Sequence, residues 1–122
     1  MAKKIVVVDD EPEFLEMLEE IITQSGYEVS ACDNGREALD LIRATKPDMA
    51  LLDVMLPGMD GHAITAALAK DDDTNTIPII IISALEQSRG MFEKYPQVKA
   101  FCSKPFSPAE LLQNIKNILE QV

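Results

Sequence analysis

The chain has 122 residues, 47% of them hydrophobic and 26% charged, which is enough apolar side chain for one core and too much for disorder. Its 21 acidic and 11 basic side chains give a net charge of −10, which repels a phosphate backbone and speaks against direct nucleic-acid binding. The longest mostly apolar run, Ile77 to Leu85, is far short of the ~18 residues a membrane span needs, and Lys3 and Lys4 lead into only a brief apolar stretch before Asp9, unlike a secretory leader. One domain over 1–122, in the cytoplasm and off the membrane, is therefore expected.

In chain order, Lys4 to Val8 is an unbroken β-branched run and reads as a strand. Phe14, Leu18 and Ile22 then recur at helical spacing, with Met17 and Ile21 beside them, while Glu13, Glu16, Glu19 and Glu20 take the wet side, and Gly26 marks the stop. Tyr27 to Cys32 is a weaker strand. Asn34 can cap a helix carrying Leu39 and Ile42, which Pro47 ends. Met49 to Leu52 is the third strand, and Ile64, Ala67 and Leu68 mark a third helix. Ile79 to Ile82 is the fourth strand. In the stretch Glu86 to Lys99, Gly90 and Pro96 argue for a short or irregular fourth helix. Ala100 to Ser103 is a weaker fifth strand. Ser107-Pro108-Ala109-Glu110 combines a capping box with proline at the first helical position, and Leu111, Leu112, Ile115, Ile118, Leu119 and Val122 supply the stripe of the last helix. Strict β–α alternation with unbroken apolar strands predicts an α/β domain, a doubly wound (βα)5 three-layer sandwich around a parallel sheet.

Open parallel sheets bind ligands outside the carboxyl ends of their strands. Asp9-Asp10 end the first strand, Asp53 the third, Ser83 the fourth and Lys104 the fifth. Three carboxylates crowded together are costly without a counter-charge. A divalent ion such as Mg²⁺, which prefers oxygen ligands, together with the Lys104 ammonium would balance them and leave room for a phosphoryl group. Ser83 and Lys104 can hold phosphoryl oxygens, and Asp53 can act as nucleophile to form an acyl phosphate. Gly58 and Gly61 flank a sharp turn after Asp53, where positive φ and close backbone approach are needed. Without a Gly-x-Gly-x-x-Gly, a dinucleotide fold has no support.

Val8-Asp9-Asp10-Glu11-Pro12, the run Leu51 to Gly61 (Leu-Leu-Asp-Val-Met-Leu-Pro-Gly-Met-Asp-Gly), Ser83-Ala84 and Lys104-Pro105-Phe106 together resemble a response-regulator receiver domain of two-component signalling, over essentially the whole chain. The resemblance implies a flavodoxin-like five-stranded parallel sheet in the order 2-1-3-4-5. It implies Asp53 as phosphoacceptor, Asp10 as a direct Mg²⁺ ligand, Asp9 as one acting mainly through water, and the backbone carbonyl of Met55 as a further ligand. It implies Ser83 as switch hydroxyl, Lys104 as phosphate-pairing lysine, Phe101 as switch aromatic, and a cis Lys104-Pro105 bond. The implied partners are a histidine kinase or phosphotransfer protein as donor and a downstream protein target, and the implied role is a self-phosphorylating signalling switch rather than a turnover enzyme.

His62, the sole histidine, reads as a surface helix residue, because the family's donor histidine lies on a partner. Met55, Met59 and Met91 read as packing or loop residues. Met55 and Leu85, two positions after Asp53 and Ser83, cannot orient a water, so slow self-dephosphorylation is expected. An aspartyl-phosphatase reading fails on Met55, which stands where a second acid is needed. A phosphorylation-independent interaction domain that keeps the fold is the alternative, suggested by the unusual Glu86 to Lys99 stretch. Cys32 and Cys102 are too few for a disulfide scaffold. In the implied order they sit on opposite edge strands about 19 Å apart, beyond the ~7 Å a bridge allows.

Overall fold

The computed structural model describes residues 2–56, 58–84 and 86–120, with residues 86–88 described by backbone alone. The elements run β1 (Lys4–Val8), α1 (Pro12–Gln24), β2 (Glu28–Cys32), α2 (Gly35–Thr45), β3 (Met49–Asp53), α3 (Gly61–Ala69), β4 (Ile79–Ser83), a 3₁₀ helix (Glu86–Phe92), β5 (Val98–Ser103) and α4 (Pro108–Leu119). All strand pairs are parallel, in the order β2-β1-β3-β4-β5.

The three layers follow from the period of two along each strand. Val6, Val8, Ala50, Leu52, Ile79 and Ile81 point to one face, where Ala38, Leu39 and Ile42 of α2 and Ile64 and Leu68 of α3 cover them. Ile5, Val7, Met49, Leu51, Ile80 and Ile82 point to the other, against Leu18 and Ile22 of α1 and Leu111 and Ile115 of α4. A strand covered on both sides needs no polar alternation, which is why β1, β3 and β4 are continuous apolar runs. The edge strands β2 and β5 are only half-buried and carry mixed sequence, which weakened their signal.

Helix ends match their chemistry. The Asn34 side chain accepts from the Glu37 N–H at 2.9 Å, and Asp60, not singled out from sequence, accepts from the Ala63 N–H at 2.8 Å. Ser107 accepts the Glu110 N–H at 3.4 Å. After α1, Gly26 takes φ +98°, the left-handed conformation that glycine adopts at no steric cost. Val122, assigned to the last apolar stripe from sequence, lies outside the described residues.

The fourth helix is where the molecule departs from five equal βα units. Instead of an α-helix, the chain makes a 3₁₀ helix over Glu86–Phe92 and turns into β5 through Tyr95 and Pro96. Gly90 weakens any helix there and Pro96 blocks its continuation. The join is braced by Gln97, whose buried side-chain amide donates to the carbonyls of Thr74 (3.1 Å) and Ile77 (2.9 Å). One extra residue bulges β5 between the Ile79–Val98 and Ile80–Ala100 pairs.

Candidate functional site

The chain reverses direction across the sheet between β1 and β3, and this switch point opens a crevice at their carboxyl ends. Asp9 sits one residue past β1, its N–H donating to the Cys32 carbonyl at 3.2 Å, so its backbone is fixed as firmly as the strand. Asp53 is the last residue of β3. Lys104 follows β5, and its N–H donates to the Ser83 carbonyl at 2.9 Å, tying the ends of β4 and β5 together. The Lys104-Pro105 bond is cis.

The side chains converge. Lys104 Nζ donates to Asp9 Oδ2 at 2.9 Å, to Asp53 Oδ2 at 2.9 Å and to Glu11 Oε1 at 3.0 Å. The other oxygens of the two aspartates face backbone donors: Asp9 Oδ1 accepts from the Glu11 N–H at 2.9 Å, and Asp53 Oδ1 from the Met55 N–H at 3.1 Å. Asp9 and Asp53 are buried, at 1% and 5% exposure, whereas Asp10 faces solvent. The ammonium also lies 4.2 Å from the centroid of the Phe14 ring, which Phe106 supports edge-on at 5.3 Å.

The electrostatics are those of buried carboxylates sharing one cation. Burial pushes the Asp9 carboxyl above its ordinary value; the Glu11 N–H and Lys104 oppose this, and the Asp53 charge adds to it. Burial works against the Lys104 charge too, but hydrogen bonds to Asp9, Asp53 and Glu11 outweigh it and hold the ammonium well above the usual lysine range.

Asp9, Asp10, Glu11 and Asp53 each place a carboxylate oxygen so that all lie within 4.8 Å of one another. An all-oxygen set of this kind, partly buried and partly open to water, fits a hard divalent cation that keeps some of its waters. A second grouping, Cys32, Asp33 and Glu37, suits such an ion poorly, because burial raises the Cys32 thiol and keeps it protonated, and it is turned to the Asn34 carbonyl at 3.3 Å.

Ser83 is fully buried at the end of β4. Met55 follows Asp53 with its side chain 60% exposed. Phe101 is half-buried on β5, opposite Ile81. Gly58 turns with φ +82°, and Gly61 packs so close beneath Asp53 that an added Cβ would run into the Asp53 carbonyl. Pro57 and Leu85 lie outside the described residues, so the expectation resting on Leu85 has no structural counterpart. His62 differs from expectation. It is half-buried, its ring edge-on to Phe92 and Tyr95 at 5.7 Å each, because the 3₁₀ segment lies back over α3. Glu11 and Phe14, the additional partners of Lys104, were read from sequence only as a motif residue and a helix-stripe residue, with no role at the site. Pro12 at the first helical position makes Glu11 the N-terminal cap residue, which was the available signal.

Residues 5–116 match the family described as response regulator receiver domain. The chain belongs to that family. Over 121 residues this receiver domain is 36% identical to Polar-differentiation response regulator DivK of Brucella anthropi, with 98% of each chain covered. It is 38% identical over 121 residues to Probable transcriptional regulator ycf27 of Porphyra purpurea, where the match takes in 98% of this chain but 48% of that one. Among solved structures, the response regulator TrrA of Thermotoga maritima, in complex with Mg²⁺–BeF, superposes with a TM-score of 0.84 at 30% identity, covering 95% of this chain and 98% of that one. Receiver domains are signalling domains of two-component systems that interact with histidine kinases and downstream targets. Among the described residues, no helix is long and apolar enough to cross a membrane.

Proposed function

We propose that the chain, as one receiver domain over 1–122, accepts a phosphoryl group on Asp53 from a histidine kinase or phosphotransfer protein and thereby switches its binding to a downstream protein. The observation that carries this reading is Lys104 Nζ, 2.9 Å from both Asp53 and Asp9 across the crevice. It is a fixed cation beside a buried carboxylate with one oxygen held by backbone.

Asp9, Asp10, Asp53 and the Met55 carbonyl would hold Mg²⁺, which supplies charge neutralisation and a seat for phosphoryl oxygens when bound. That TrrA is described with Mg²⁺–BeF supports this assignment. One Asp53 oxygen attacks phosphorus in line, the donor's bond to phosphorus breaks, and an acyl phosphate forms. Lys104 then exchanges a carboxylate contact for a phosphoryl oxygen, and Ser83 turns its hydroxyl to another. Phe101, packed beside β4, fills the space Ser83 leaves and carries the change to the surface. The phosphoryl group stays on the protein as signal, so the chemistry is a stoichiometric switch in the cytoplasm rather than turnover.

Intact-mass measurement after incubation with acetyl phosphate and MgCl₂ tests this reading. One phosphoryl adduct per chain is expected, absent in Asp53→Asn and in EDTA. An unmodified wild-type chain would favour the phosphorylation-independent interaction domain instead.

A further inference from the structure

We propose that Arg89 is a positioning residue that holds Phe101 in its resting place and so sets how readily the domain switches; this rests on the reading of Phe101 as the aromatic that moves with Ser83. The Arg89 guanidinium carbon lies 4.5 Å from the centroid of the Phe101 ring, inside cation–π range. Phe92, only 3% exposed, meets the same ring at 6.4 Å between centroids, tilted by 47°. Arg89 and Phe92 are three residues apart in the 3₁₀ helix, whose three-residue turn stacks positions i and i+3 in line. In an α-helix the same pair would be splayed by about 60° around the axis, given 3.6 residues per turn. The irregular helix therefore presents a buried anchor and an exposed cation to one ring.

The clamp is placed to act on the switch. Ser83 and Ile81 share a side of β4 because they are two residues apart, and Phe101 pairs with Ile81 on the neighbouring strand. The 3₁₀ helix starts three residues after Ser83, so the segment that grips the ring is tethered to the hydroxyl that must move. Phe92 itself rests edge-on against His62 of α3, whose ring in turn meets Tyr95, which gives the anchor a fixed backing. On that reading, the inward movement of Phe101 gives up its stack on the guanidinium. The stack therefore favours the resting state alone, and such a contact shifts a two-state equilibrium by its full worth.

Fluoroberyllate in MgCl₂ is the probe, with NMR as readout. Arg89→Ala is expected to lower the concentration for half-saturation by about two- to five-fold, the equivalent of the ~0.5–1 kcal/mol of an exposed cation–π contact. Arg89→Lys, which keeps the charge but not the planar stack, should recover part of that change. In a Phe101→Leu background, Arg89→Ala should have a much smaller effect. Before any fluoroberyllate is added, the Arg89 side-chain protons should be shielded by the Phe101 ring, and Phe101→Leu should remove that shielding. An unchanged half-saturation in Arg89→Ala, an equal effect in the Phe101→Leu background, or absent shielding overturns the proposal while leaving the Asp53 acceptor intact. No uptake of fluoroberyllate by the wild type overturns the acceptor reading, and the proposal falls with it.

Discussion

Lys104→Met removes one positive charge and keeps a flexible stem of similar length over Phe14, so it isolates the electrostatic role of the lysine. The Lys104 side chain is 13% exposed, and its two aspartate partners are 2% and 7% exposed. Its third partner, Glu11, is 65% exposed, and that leg contributes at most about 1 kcal/mol. The cost therefore lies in Asp9 and Asp53, left as buried carboxylates facing each other without a cation, a loss of about 3–5 kcal/mol. For a chain of 122 residues the unfolding entropy is about 0.26 kcal/mol/K, so the midpoint should fall by roughly 12–20 °C. Thermal unfolding followed by circular dichroism in EDTA measures this directly. Excess Mg²⁺ should shrink the penalty, since a divalent ion on the same oxygens replaces the missing charge. A loss below about 1 kcal/mol in EDTA, or a penalty that Mg²⁺ leaves unchanged, would refute the view that one ammonium neutralises this cluster.

Two glycines should respond in opposite directions to alanine. Gly61→Ala drives a Cβ into backbone of Asp53 and Val54 and should cost about 1–3 kcal/mol in urea unfolding, with weaker acetyl phosphate labelling because Asp53 itself must shift. Gly90→Ala meets nothing within 4 Å and should raise stability by about 0.4–1 kcal/mol by restricting the unfolded chain. Cys32 and Cys102, both free, lie on opposite edge strands, and burial raises both thiols. Non-reducing mass spectrometry of the folded protein should find no internal bridge, and maleimide should modify both thiols more slowly native than in urea.

How far the sequence carried the fold follows from where side-chain pattern decides structure. β1, β3 and β4 are sandwiched between helix layers, so their interior positions are apolar and the runs stand out, as Ile79 to Ile82 does. The polar residue that ends each run, Asp9, Asp53 and Ser83, then falls at the crevice by topology alone. The fourth helix was legible only as trouble. Gly90 and Pro96 signal a broken α-helix but do not specify a 3₁₀ helix, whose register depends on Phe92 packing edge-on against His62 of α3. That tertiary contact also pulls His62 from the surface. The site role of Glu11 and Phe14 was missed for a similar reason. One is a helix cap and the other an ordinary stripe residue, and only the path of Lys104 from a distant strand makes them its partners.

Magnesium titration by calorimetry tests most directly whether these carboxylates form one cation site. The wild type should bind one Mg²⁺ per chain, Asp10→Asn and Asp53→Asn should bind it far more weakly, and Lys104→Met should retain it, because the ion and the ammonium answer the same negative charge. No heat from the wild type, or the same isotherm in Asp10→Asn and Asp53→Asn, would contradict it.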